Sequence, residues 1–134
     1  MSGSTEERAL ALRLQQAGCT AAVSKSGRLL RVVVPAEADA SVSRLLPAVV
    51  QCDRLRELGI RGRTGLVNGH IEAISRLPRL QTLDLEGTDL SDESLIGLAG
   101  CPALKIVNVR NTAVTPACVA TRRKTMIGTR IIAS

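Results

Sequence analysis

Apolar positions return along this chain in a fixed register. In residues 80–104, LQTLDLEGTDLSDESLIGLAGCPAL, they fall at Leu80, Leu83, Leu85, Leu90, Leu95 and Leu98, and the pattern restarts at Leu104. Residues 55–80 repeat it with Leu55, Leu58 and Ile60. Leu66, Ile71, Ile74 and Leu77 follow in step once one residue is inserted after the strand. Residues 104–128 keep it with Leu104, Val107, Val109, Val114 and Val119. Within each unit the spacing changes from two to three. Leu83 and Leu85 flank Asp84, the alternation of a strand with one buried face. Leu95 and Leu98, like Ile71, Ile74 and Leu77, are spaced as neighbours on a helix. The pattern predicts parallel strands over 57–60, 82–85 and 106–109, with helices near 70–77 and 92–99. Ser91 is an N-cap candidate followed by Asp92 and Glu93, which the helix dipole favours, and Thr115-Pro116 is a cap and first-turn pair. No unit buries its own apolar edge, so the units must stack.

The flanks carry weaker signals. Residues 4–17 read as an amphipathic helix capped by Ser4 or Thr5 and stopped by Gly18, with Leu10 and Leu14 packing down. Residues 19–25 and 28–34 are apolar runs on either side of Ser26-Gly27, a hairpin signal that places Val32 and Val34 inward. A degenerate helix with Val42, Leu45, Val49 and Cys52 on one face follows. Residues 129–132 give a last short strand after a stop at Gly128.

A period of 24 to 25 residues opened by LxxLxL resembles the leucine-rich repeat family. GTDLSDESL and LAGCPAL look like its short bacterial and cysteine-containing variants, and the resemblance covers roughly residues 28–134. It implies an α/β solenoid with a parallel sheet on the concave side and short helices on the convex side. The single domain then spans 1–134. It comprises an N-terminal helix-hairpin cap (1–27), repeats at 28–54, 55–79, 80–103 and 104–128, and a C-terminal cap (129–134). The family also implies a non-enzymatic protein–protein interaction module or adaptor, held through its concave sheet face and adjoining loops. The solvent-facing positions of that face are Glu57, Gly59 and Arg61, then Thr82, Asp84 and Glu86, then Ile106, Asn108 and Arg110.

Composition narrows the chemistry. The 134 residues include no Trp, Tyr or Phe, which removes base stacking as a route to nucleic acid. There is a single histidine, His70, read as an exposed helix-start residue. Gly62, Gly65 and Gly69 lack the spacing of a phosphate loop and are read as turn glycines. Ser91, Ser94 and Thr115 have no base in view. The expectation is therefore no catalytic residue, no cofactor and no metal. Cys19, Cys52, Cys101 and Cys118 form no CxxC pair and are read as free, buried thiols in a reducing, cytoplasmic setting. Cys52 and Cys101, three residues before Leu55 and Leu104, are expected to point inward in successive turns without bonding. The start MSGSTEER reads as neither a signal nor a transit peptide, and no apolar run approaches a membrane span.

Charge is unevenly spread. The net charge is +6, and residues 104–134 hold Lys105, Arg110, Arg122, Arg123, Lys124 and Arg130 with no acid. A basic C-terminal end centred on Arg122, Arg123 and Lys124 is expected to dock an acidic patch on another protein. The alternative is a structural or RNA-associated subunit of a larger assembly, docked by the same end through phosphates. Their side chains are expected to be mostly exposed.

Overall fold

The alternating segments all join one sheet. In the computed structural model of the protein, residues 3–62 and 68–133 are described. The elements are α1 (Gly3–Gln16), β1 (Thr20–Val23), β2 (Leu29–Val34), α2 (Val42–Val49), β3 (Glu57–Ile60), α3 (Ile71–Ser75), β4 (Thr82–Asp84), α4 (Asp92–Leu98), β5 (Ile106–Asn108), α5 (Pro116–Thr125) and β6 (Arg130–Ile132). The six strands lie in sequence order. β1 and β2 form an antiparallel hairpin, and β2 through β6 are parallel. The fold is α/β, with a mostly parallel sheet backed by short helices. The expected parallel pairing of 57–60, 82–85 and 106–109 holds, although β4 and β5 end one residue earlier, at Asp84 and Asn108. Hydrogen bonds continue past those ends, from Leu85 N–H to the Asn108 carbonyl and from Val109 N–H to the Ile132 carbonyl.

Register explains the core. Val32, Leu58, Leu83, Val107 and Ile131 align across β2–β6 and are all buried. Val34, Ile60, Leu85 and Val109 repeat this two residues on. The helices supply the opposing layer through Val42, Leu46, Ile71, Ile74, Leu95, Leu98 and Val119. In α2 the buried member is Leu46, while Leu45, expected in the stripe, is only half-buried. The spacing 42, 46, 49 keeps a tighter helical stripe than 42, 45, 49, 52 over so short a helix. α3 stops at Ser75, so Leu77 reaches the core from the turn after it.

The reversing turns repeat as well. Gly62, Gly87 and Asn111 occupy equivalent places and all have positive φ, at 64°, 76° and 56°. Glycine carries this conformation without a Cβ penalty, and asparagine is the side chain that best tolerates it. α1 ends in a Schellman motif. Gly18 has φ 93°, its N–H reaches the Gln15 carbonyl, and Cys19 N–H reaches the Leu14 carbonyl at 2.9 Å. At the other end, the helical backbone already includes Ser4 and Thr5, so neither caps it. The caps at Ser91 and Thr115 are made, each side chain accepting the N–H three residues on, at 3.3 and 3.2 Å.

One inward column links the turns that follow the helices. Cys52, Leu77, Cys101 and Met126 stand three residues before Leu55, Leu80, Leu104 and Thr129, and all four are buried. Cys52 and Cys101 are therefore in alternate turns, not successive ones, because Leu77 takes the place between them. Both are free, and burial pushes both thiols up, Cys52 to about 12. No helix among the described residues is long and apolar enough to cross a membrane.

Candidate partner-binding face

The side of the sheet away from the helices carries rows of aligned side chains. The first row is Arg31, Glu57, Thr82, Ile106 and Arg130; the second is Val33, Gly59, Asp84, Asn108 and Ile132. Both follow from strand alternation, since their neighbours point into the core. Arg61, Glu86 and Arg110 form a third row where the chain leaves β3, β4 and β5.

These positions are tied into a ladder across the strands. Arg31 Nε donates to Glu57 at 2.9 Å. The Arg61 guanidinium donates to the Asp84 carboxylate through Nε at 2.8 Å and also through Nη2. The hydrogen bond that Asp84 accepts, and then its charge, hold the Arg61 pKa above its ordinary value. Asp84 also accepts the backbone N–H of Glu86 at 3.2 Å. Glu86 in turn accepts from Asn108 Nδ2 at 3.0 Å, and Asn108 accepts the N–H of Arg110 at 3.0 Å. Asp84 and Asn108 thus make the same turn in neighbouring units, each side chain bonding the backbone two residues on. Beneath them, Thr88 and Thr112 donate to the carbonyls of Leu85 and Val109, both at 2.7 Å.

The face is therefore polar, ordered and accessible. Arg61, Ile106 and Arg110 are exposed; Glu57, Thr82, Asp84, Glu86 and Asn108 are half-buried. Ile106 is an exposed large apolar side chain between Thr82 and Arg130 in the first row. Gly59, expected to face solvent, is buried, because the Val33 side chain and the Asp84 Cβ close over it. The sequence-based face left out Arg31, Val33, Arg130 and Ile132. The inward reading of Val32 and Val34 already implied the first two, and the strand over 129–132 carried the other two.

The basic C-terminal end is less free than its sequence implies. Arg123 is exposed but donates from Nη2 to the Ile131 carbonyl at 2.9 Å, pinning α5 to β6. Arg122 is half-buried, and its Nε is closed off from solvent with no partner among the described residues. Lys124 is exposed. Of the three, only Lys124 is a plain surface charge. Asp92, read as a first-turn acid, has a second role. Its carboxylate accepts the backbone N–H of Thr115 at 2.7 Å and the Thr115 hydroxyl at 2.8 Å. These bonds lower its pKa, and they staple α4 to the start of α5.

His70 is half-buried at the end of the 3-10 turn Asn68–His70 that leads into α3. Leu66 and Gly65 lie outside the described residues. Among the described residues, no three His, Cys, Asp or Glu side chains stand together to hold a metal. No protein-family model matches the chain, and no curated protein matches it.

Proposed function

We propose that this chain is a non-enzymatic protein-interaction module built as a leucine-rich-repeat solenoid, with the open sheet face as its concave recognition surface. The observation that carries the reading is the ladder Arg61–Asp84, Glu86–Asn108 across β3, β4 and β5, with Ile106 exposed beside it. Cross-linked polar side chains lose little freedom when a partner lands on them, which lowers the cost of association. The anchored Arg61 and the exposed Arg110 beside it suit a partner with an acidic patch. The reading places the protein in the cytoplasm and assigns it no cofactor.

Size limits how the partner docks. Six strands at ~4.8 Å span ~24 Å, and each presents ~13 Å, so the bare face offers ~300 Å². A standard interface needs ~800 Å² from each partner. The partner must also grip the turns at Arg61, Glu86 and Arg110 or an end of the sheet. The engagement of Arg122 and Arg123 in the fold favours the sheet face over docking through the basic end, whether to protein or RNA.

The test is capture of one specific partner by the full chain and by variants. Ile106→Arg and the pair Asp84→Ala, Glu86→Ala should each weaken capture tenfold or more, whereas Glu93→Arg on α4 should not. Equal loss from the α4 variant, or none from the face variants, would refute the reading.

A further inference from the structure

A second cluster of charge gathers where the strands begin. The β1–β2 turn holds Ser24 and Ser26, and the chain entering β3 and β4 holds Arg54, Arg56 and Arg79. Together with Arg28 and Leu30 they line one cleft of about 330 Å³. These arginines are scattered along the chain from Arg28 to Arg79, and only the stacking of the turns brings them together.

The walls are built differently from a solvated charge run. Gly27, buried in the turn, donates its N–H to the Ser24 carbonyl at 2.9 Å. Ser24 Oγ accepts the N–H of Arg28 at 3.1 Å and lies 2.9 Å from Ser26 Oγ. Arg28 is held from behind, with Nε on Glu7 at 2.9 Å and Nη2 on Asp53 at 2.6 Å. A guanidinium has five N–H donors, so this anchoring fixes the head without exhausting it. Among the described residues Arg54 pairs with Asp53 alone, at 3.9 Å. Arg56 and Arg79 are exposed and make no ion pair among the described residues. Four arginines thus line one cleft, while the carboxylates of Glu7 and Asp53 engage Arg28 and Arg54 from outside its lining. Crowded like charges repel, and an anion seated between Arg56 and Arg79 relieves that repulsion.

We infer that this cleft receives the phosphate of a phosphorylated side chain on the protein partner. Guanidinium forks match phosphate oxygens two at a time, and one hydroxyl of the bonded Ser24–Ser26 pair keeps its proton as a neutral donor. The cleft is at the small end of ligand pockets, room for one such group. A nucleic-acid strand offers many phosphates along a line and bases that need stacking platforms, and the chain has no aromatic residue. The inference rests on the protein-binding reading above and adds a phosphate to what the partner must carry.

The experiment is an NMR titration of the full ¹⁵N-labelled chain at constant ionic strength. The probes are Gly-Gly-phosphoserine-Gly-Gly, the same peptide unphosphorylated, inorganic phosphate, and an oligothymidylate. Saturable shifts confined to Gly27, Arg28, Arg56 and Arg79, with the phosphopeptide alone binding well, are expected. Arg56→Ala with Arg79→Ala should weaken it at least about tenfold, the effect of losing charge-assisted hydrogen bonds. Lys124→Ala should leave it unchanged. Arg79→Ala alone, with an unchanged circular dichroism spectrum, guards against a folding artefact. Four results would overturn the assignment: no saturation, an unaffected double variant, inorganic phosphate binding as well as the phosphopeptide, or a tighter, steeply salt-dependent oligothymidylate complex. None of these involves the sheet face, so the cleft fails separately from the interaction reading.

Discussion

Glu7 is the acid that fastens α1 to the sheet, and its removal gives the sharpest test of how the N-terminal helix is held. It is one of three buried polar residues among those described, 8% exposed. One carboxylate oxygen accepts the backbone N–H of Leu29 at 2.6 Å, and the other accepts Arg28 Nε at 2.9 Å. Leu29 is wholly buried at the start of β2, opposite Val23 in the antiparallel hairpin. Glu7→Ala leaves the Leu29 N–H without an acceptor in a place water does not reach. That loss alone costs ~1–3 kcal/mol, and the freed Arg28 still has Asp53. Glu7→Gln keeps an amide oxygen for the Leu29 N–H while removing the charge facing Arg28, so it should cost clearly less. Both are to be measured by urea unfolding followed by circular dichroism, because the chain has no aromatic fluorophore. In Arg28→Ala the further effect of Glu7→Ala should shrink but not vanish, since the Leu29 bond remains. A loss below ~0.5 kcal/mol for Glu7→Ala would show that α1 is not held by this carboxylate.

Leu85 is fully buried beneath the Asp84–Glu86 turn, and Leu85→Ala should cost ~2–5 kcal/mol in the same assay; a cost below ~1 kcal/mol would break the register. Asp92 has a lowered pKa in the folded chain, so its contribution is present above the ordinary carboxylate range of ~4 and is lost as pH falls through the folded value. Asp92→Asn should flatten that part of the stability–pH curve, and an unchanged curve would remove the staple to Thr115. Of the thiols, half-buried Cys118 should react first with maleimide, while Cys52 and Cys101 should wait for unfolding, which peptide mapping of a labelling time course will show.

Leucine spacing exposed the strands because inward positions such as Leu58, Leu83 and Val107 are set by alternation alone. It exposed α4 and α5 because Ser91 and Thr115 mark their starts with local chemistry. It misplaced Leu45 and Leu46, since both fit an apolar stripe and only the packed layer chooses between them. It set Cys52 and Cys101 in adjacent turns, although Leu77 at the same phase was already visible between them. On the face, the outward positions were legible, but their bonding was not. Nothing local joins Arg61 to Asp84 or Glu86 to Asn108; the strand register does. The same holds for the basic end. Arg122 and Arg123 read as surface charge until β6 folds back beside α5 and takes the Arg123 guanidinium on its carbonyl. The arginine cleft was invisible for the opposite reason, since segment charge counts place Arg56 and Arg79 in a stretch of net negative charge.

The central claim is that a protein partner meets the sheet face. The most direct measurement places a photo-crosslinking amino acid at Ile106, which is exposed on that face, and separately at Ile96, which is exposed on α4. Irradiation in intact cells should give one discrete, mass-identifiable adduct from position 106 and none from position 96. Adducts of the same pattern from both positions, or none from position 106 while position 96 captures a protein, would contradict the account.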